Sequence, residues 1–148
     1  MKTFLGKIDA KLDAKGRVFV PSVFRKVLSE EEKERIVVRM EADEKYLLVY
    51  PESVWNKQVL DLQSKLNEWD PEDQMLLMQF VGDAEMLDFD AQGRVLLPKR
   101  LQSRLGGDSE LVFVGMVDRI ALWSKSKYDE QFAMKDKLSE RLKMLGSK

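Results

Sequence analysis

Apolar residues in this chain fall into short runs, and the runs come in the same order twice. The first series passes from FLG (4–6) through KIDAKL (7–12) and RVFV (17–20) to a short helical pattern ending at Leu28, then RIVVRM (35–40) and YLLVYP (46–51). The second passes from FVG (80–82) through a matching stretch to a helical pattern ending at Leu105, then ELVFVG (110–115) and RIALWS (119–124). Runs this short, rich in aliphatic and aromatic residues and bounded by Gly, Pro and Asp, predict strands. Each series therefore predicts strand, turn, strand, short helix, strand, turn, strand, an internal duplication of about 45 residues per unit.

Between the two series, Trp55, Val59, Leu62, Leu66 and Trp69 recur at spacings of four and three, which predicts an amphipathic helix. Asp70, with Pro71 behind it and Asp73 in the first turn, then predicts a capped second helix running to about Gly82. After the second series, Ser124 or Ser126 opens a charged helix with an intermittent stripe of Tyr128, Phe132, Leu138, Leu142 and Leu145, whose end is expected to fray. Trp55 and Tyr128 occupy matching places, so the packing partners are duplicated as well. These breaks divide the chain into a first repeat (4–51), a helical connector (52–79), a second repeat (80–124) and a C-terminal helix (125–148).

The duplication is sharpest at LDAKGRVFVP (12–21) and FDAQGRVLLP (89–98), 77 residues apart, with Asp, Gly, Arg and Pro in identical places. Asp13 and Asp90 can each accept backbone N–H groups at the first position of a turn, and Gly16 and Gly93 tolerate the positive φ such a turn requires. These four residues shape the turns. The strands on either side, KIDAKL and RVFV, are expected to pair as a hairpin, while Pro21 and Pro98 cannot continue a strand ladder and suit the start of a short helix. Arg17 and Arg94 are not required by the turn; an ion pair with the neighbouring Asp is one role open to them, and presentation of a planar donor fork to phosphate or guanine is another.

Composition narrows the classes of function. The chain has 148 residues, 44% of them hydrophobic, with no cysteine and no histidine. That removes disulfides, thiolate metal sites and the commonest general base, so no catalytic residue, metal or cofactor is expected. Paired Asp residues, one per repeat, suggest a shared-proton dyad, but the acid-protease pattern puts Thr or Ser after the Asp, and Ala14 and Ala91 stand here. LGGDSE (105–110) is a Gly-rich helix stop, and no G-x-x-x-x-G-K motif is present. The N-terminal apolar run is too short for a signal peptide and nowhere do 18 apolar residues run together, so a soluble cytoplasmic protein with no membrane partner is expected. Net charge is −1, yet residues 1–17 carry Lys2, Lys7, Lys11, Lys15 and Arg17 against Asp9 and Asp13, while SEEEKE (29–34) gathers acid elsewhere. A near-neutral chain arranged this way can still present one basic face.

Two Asp-x-x-x-Arg motifs, at Asp13/Arg17 and Asp90/Arg94, in duplicated units with these strands and helices, resemble the MraZ family of bacterial regulators with two AbrB-like repeats. The resemblance covers essentially the whole chain. It implies an α+β, β-rich fold in which two swapped-hairpin repeats pack as a pseudo-symmetric β-barrel unit with flanking helices. It also implies sequence-specific binding of double-stranded DNA near the promoter of the division and cell-wall gene cluster, self-regulation, association with the nucleoid, and assembly into ring-shaped homo-oligomers. On that resemblance Arg17 and Arg94 contact DNA and Lys15 contacts phosphate, with the basic character of the second turn weaker because Gln92 stands where the first has Lys15.

The short helices after the motifs diverge. Phe24 and Leu28 match Leu101 and Leu105 as a shared buried side, but Val23 and Val27 match Arg100 and Arg104, and Arg25 and Lys26 match Gln102 and Ser103. Solvated faces account for the shifted cations, and so does contact with a neighbouring subunit or the DNA backbone. The rival function is a non-catalytic oligomeric scaffold, for which Trp and Met on the linking helices supply interface.

Overall fold

The computed structural model describes residues 3–28, 35–133 and 136–146, so the acidic run at 29–34 and Lys2 lie outside the described residues. The elements are β1 (Lys7–Lys11), β2 (Arg17–Phe19), α1 (Ser22–Arg25), β3 (Arg35–Met40), β4 (Leu47–Pro51), α2 (Glu52–Lys65), α3 (Pro71–Gly82), β5 (Glu85–Asp88), β6 (Arg94–Leu96), α4 (Lys99–Arg104), β7 (Glu110–Gly115), β8 (Ile120–Ser124), α5 (Lys125–Gln131) and α6 (Asp136–Gly146).

Strand pairing reveals what the duplication does. Six strands form one sheet in the order β1-β7-β8-β4-β3-β5, and β2 with β6 forms a separate two-stranded ribbon. Exchanging each strand for its counterpart in the other repeat (β1 for β5, β3 for β7, β4 for β8) returns the same order reversed, so the sheet has an internal pseudo-two-fold centred between β4 and β8. Among the described residues, only β3–β4 and β7–β8 pair within a repeat; β1–β7, β3–β5, β4–β8 and β2–β6 all cross between repeats, and all are antiparallel. The two halves interleave. Among the described residues the strands make a sheet and a ribbon without hydrogen-bonded closure into a barrel.

The expected hairpin between KIDAKL and RVFV is therefore corrected. Across the first turn only the ends meet, through Asp13 N–H to the Arg17 carbonyl at 2.8 Å, after which β1 runs along β7 and β2 along β6. The divergence lets Val18 meet Val95 at the middle of the ribbon, where both are buried.

Burial explains the strand sequences. Strands β4 and β8 are buried throughout and read as continuous apolar runs, whereas edge strand β1 alternates exposed and half-buried positions. Leu47, Val49, Ile120 and Leu122 face the main core, which is completed by Val18, Val20, Val95 and Leu97 from the ribbon and by Phe24, Leu28, Leu101 and Leu105 from the short helices. The buried side read from the short helices is thus borne out. On the opposite face of the sheet, Tyr50, Trp55 and Phe80 form one aromatic cluster, with Trp55 stacked on Phe80 at 5.2 Å. Trp123, Tyr128 and Phe132 form its counterpart, so Trp55 and Tyr128 do play matching parts.

Two helical expectations shift. The stripe predicted to run to Trp69 stops at Lys65; Asp73 accepts the Asn67 N–H at 2.8 Å, and the Asn67 carbonyl oxygen of the side chain accepts the Trp69 N–H at 2.9 Å, a polar turn that leaves Trp69 85% exposed. The C-terminal helix is two, α5 and α6, with Ser124 as the cap of the first. Asp70 caps α3 as expected, accepting the Glu72 N–H at 3.0 Å with Pro71 at the first helical position.

Candidate nucleic-acid interface

The two motif turns are built alike. In the first, one carboxylate oxygen of Asp13 accepts the Lys15 N–H at 2.9 Å and the Arg17 N–H at 2.8 Å, while the other accepts Nε of Arg17 at 2.8 Å. In the second, Asp90 accepts the Gln92 and Arg94 N–H groups at 2.9 Å each and Nε of Arg94 at 2.7 Å. In both, the glycine N–H closes onto the Asp carbonyl at 3.0 Å, with φ +87° at Gly16 and +83° at Gly93. The backbone N–H of Arg17, more than its side chain, holds the Asp13 carboxyl below the usual carboxylate range, and Arg94 does the same for Asp90.

The arginines take part in their turns more than expected. Each guanidinium is clipped to the Asp by Nε alone, so among the described residues its two terminal nitrogens have no hydrogen-bond partner. The planar fork that reads phosphate or guanine is therefore oriented and still available. Because Val18 and Val95 point inward, the alternation of the ribbon sets Arg17, Phe19, Arg94 and Leu96 on its outer face, with Arg17 opposite Leu96 and Phe19 opposite Arg94. Two arginines separated by 77 positions in sequence thus share one short ribbon. Lys15 is exposed at the tip of the first turn and Gln92 at the tip of the second.

The cations that shifted between the short helices have distinct fates. Arg100 bonds Glu85 at 2.9 Å and Asp83 at 3.2 Å, and Arg104 bonds Asp83 at 3.1 Å, so both hold α4 to the α3–β5 junction. Arg25 instead donates Nε to the Val20 carbonyl at 2.9 Å, and Gln102, its counterpart, donates its amide to the Leu97 carbonyl at 2.8 Å. Each of these side chains lies against the turn of the other repeat: a Cβ on Gly93 would sit 2.5 Å from the Arg25 guanidinium carbon, and one on Gly16 would collide with the Gln102 amide. The mismatch of Arg25 with Gln102 was visible in the sequence, but its placement beside the opposite turn depends on the strand exchange.

Among the described residues no group of acidic side chains is placed to hold a metal ion, and no helix is long and apolar enough to cross a membrane. Two interleaved copies of one β-rich unit, each carrying an Asp-clipped arginine on a common ribbon, define a two-repeat, strand-exchanged class of protein. The family model described as "MraZ protein, putative antitoxin-like" matches the chain twice, over 3–79 and 80–143. Proteins named transcriptional regulator MraZ are similar to it over most of its length: 41% identity in Phocaeicola vulgatus, covering 94% of this chain and 90% of that protein; 39% in Bacteroides fragilis, covering 89% and 84%; and 37% in Neisseria meningitidis, covering 86% and 84%. The chain belongs to the MraZ family, as the paired motifs indicated. The family is one of transcriptional regulators and not of enzymes.

Proposed function

We propose that the chain is a sequence-specific DNA-binding transcriptional regulator that recognises tandem direct repeats upstream of its own gene, in the division and cell-wall gene cluster, as a cytoplasmic, nucleoid-associated ring of identical subunits. The observation that carries this is the ribbon: Arg17 and Arg94 lie on one outer face, each oriented by its Asp, with their terminal nitrogens unspent. A two-stranded element of this width fits the major groove, and an arginine fork matches the O6/N7 edge of guanine. Lys15 adds a phosphate contact at the first tip. Residues 4–51 and 80–124 then supply one contact turn each, 52–79 connect them, and α5 and α6 follow the second repeat. Ring assembly is supported by apolar side chains left exposed on α2 and α3, among them Leu60, Met75, Leu76 and Met78, which a monomer would leave in water.

The same exposed face favours a second reading, a scaffold that assembles without DNA. A gel shift with the duplex upstream of the coding gene separates them. The regulator gives binding that weakens as salt rises, and a scaffold gives none.

A further inference from the structure

We propose that Arg25 is a phosphate-contacting residue of the second motif turn, supplied by the first repeat in place of the lysine that turn lacks; this rests on the DNA-binding role proposed above. The first turn carries Lys15 at its tip and has the neutral Gln102 of the second repeat against its glycine. The second carries neutral Gln92 at its tip and has Arg25 of the first repeat against its glycine, with the guanidinium carbon and one terminal nitrogen both 2.5 Å from where a Gly93 Cβ would be. Each turn thus has one motif arginine and one further cation, but in the second turn that cation crosses over from the other half.

The local geometry suits an anion. Arg25 is fixed by Nε to the Val20 carbonyl at 2.9 Å, the same one-point anchoring that Asp13 and Asp90 give Arg17 and Arg94, and among the described residues its terminal nitrogens have no hydrogen-bond partner. It lines an open groove with Ser22, Lys26, Asp90 and Gly93, and Lys26 beside it is exposed. Anchoring at Nε sets the plane of the guanidinium in advance, so little side-chain entropy is lost when a phosphate oxygen arrives.

The repeats themselves provide the control. Gln102 bonds the Leu97 carbonyl as Arg25 bonds that of Val20, so Arg25→Gln copies an arrangement this fold already holds. The test measures affinity against salt for the full chain and the duplex upstream of its gene, with R25Q, Q102R, and R25Q combined with Q92K. We expect R25Q to melt near the unsubstituted chain and to lower the slope of log affinity against log salt by about 0.9, one phosphate contact. Q102R should raise the slope by a similar amount, and Q92K should restore the slope lost in R25Q by returning a cation to the tip. If the unsubstituted chain binds with a salt-dependent slope that R25Q leaves unchanged, the Arg25 role is overturned while DNA binding stands. A slope lost in R25Q but not regained with Q92K also overturns it, since the loss then reflects altered packing. No salt-dependent binding by the unsubstituted chain overturns both.

Discussion

Phe19 and Arg94 stand opposite each other on the β2–β6 ribbon, with the guanidinium carbon 5.6 Å from the ring centroid. The corresponding pair from the other half is Leu96 and Arg17, and it has no ring. A cation seated over an aromatic face is held there by the ring quadrupole. Arg94 is accordingly the less exposed of the two, its side chain 20% accessible against 32% for Arg17. The two halves therefore offer similar forks with different freedom.

From this we predict that Arg17→Ala and Arg94→Ala each weaken DNA binding by about 1–3 kcal/mol, the range for an arginine fork on a base edge. Both variants should stay folded, because each turn keeps the backbone N–H bonds that its Asp accepts when the arginine side chain is removed. Phe19→Leu, which copies the Leu96–Arg17 pair, should loosen Arg94 and produce a smaller loss. Binding isotherms beside thermal melts decide the matter; unchanged affinity in both alanine variants would remove the ribbon from the contact surface.

A second prediction concerns acid. The Asp13 and Asp90 carboxyls titrate below their unfolded value of about 3.9, because they accept backbone N–H groups and the arginine side chain. Their contribution to stability is complete above that unfolded value and is lost as pH falls through the lower folded one. Melting temperature should thus be insensitive to these groups near neutrality and drop below about pH 4. In Asp13→Asn with Asp90→Asn the drop should be shallower but still present, since Asp108 is also held low by the Ser124 and Ser126 hydroxyls. An identical acid profile in the double variant would show that the two turns do not contribute.

The turn glycines give a third. At φ +83° an alanine at position 93 carries a backbone penalty of about 1–2 kcal/mol, and its Cβ also displaces Arg25. Gly16→Ala carries the same backbone penalty but displaces the neutral Gln102 instead. Denaturant midpoints should fall in both, and only Gly93→Ala should lose salt-dependent affinity beyond what its stability explains.

How far these features were legible in the sequence depended on whether their cause was local. The Asp–Gly turns, the Asp70–Pro71 helix start and the buried side of Phe24, Leu28, Leu101 and Leu105 arise within a few residues, so each carries a local signal. The strand exchange has no such signal, because Val18 reads the same whether it pairs within its own repeat or with Val95; only the resemblance to swapped-hairpin repeats pointed to it. Trp69 fits the spacing of the Trp55 stripe, but the turn around Asn67 and Asp73 ends the helix first. Arg100 and Arg104 carry no local sign of Asp83 and Glu85, the partners that lie 15 to 21 positions away, so solvation and contact with a neighbouring subunit or DNA were equally open to them.

A fourth prediction addresses assembly. Subunits closing into a ring present their ribbons at a regular interval, so the operator should be a set of short tandem direct repeats, where a two-fold dimer would favour an inverted one. Affinity and salt slope should rise across duplexes with one to four repeats, by roughly 0.9 per added phosphate contact, and fall when half a helical turn separates the repeats. Met78→Glu on the exposed face of α3 should reduce the mass measured by light scattering and abolish that rise. Equal affinity across the series would rule out multivalent binding.

The interleaving has one more consequence. Each half supplies strands to the other's sheet, so the chain is in effect a dimer whose partners are joined end to end and meet at an effective concentration fixed by the connector rather than by expression level. The polar turn from Asn67 to Asp70 lies outside all four strand pairs that bind the halves. A single protease cut there would yield two fragments that migrate apart only in denaturant, and a molecule nicked in this way would keep both arginine forks on one ribbon.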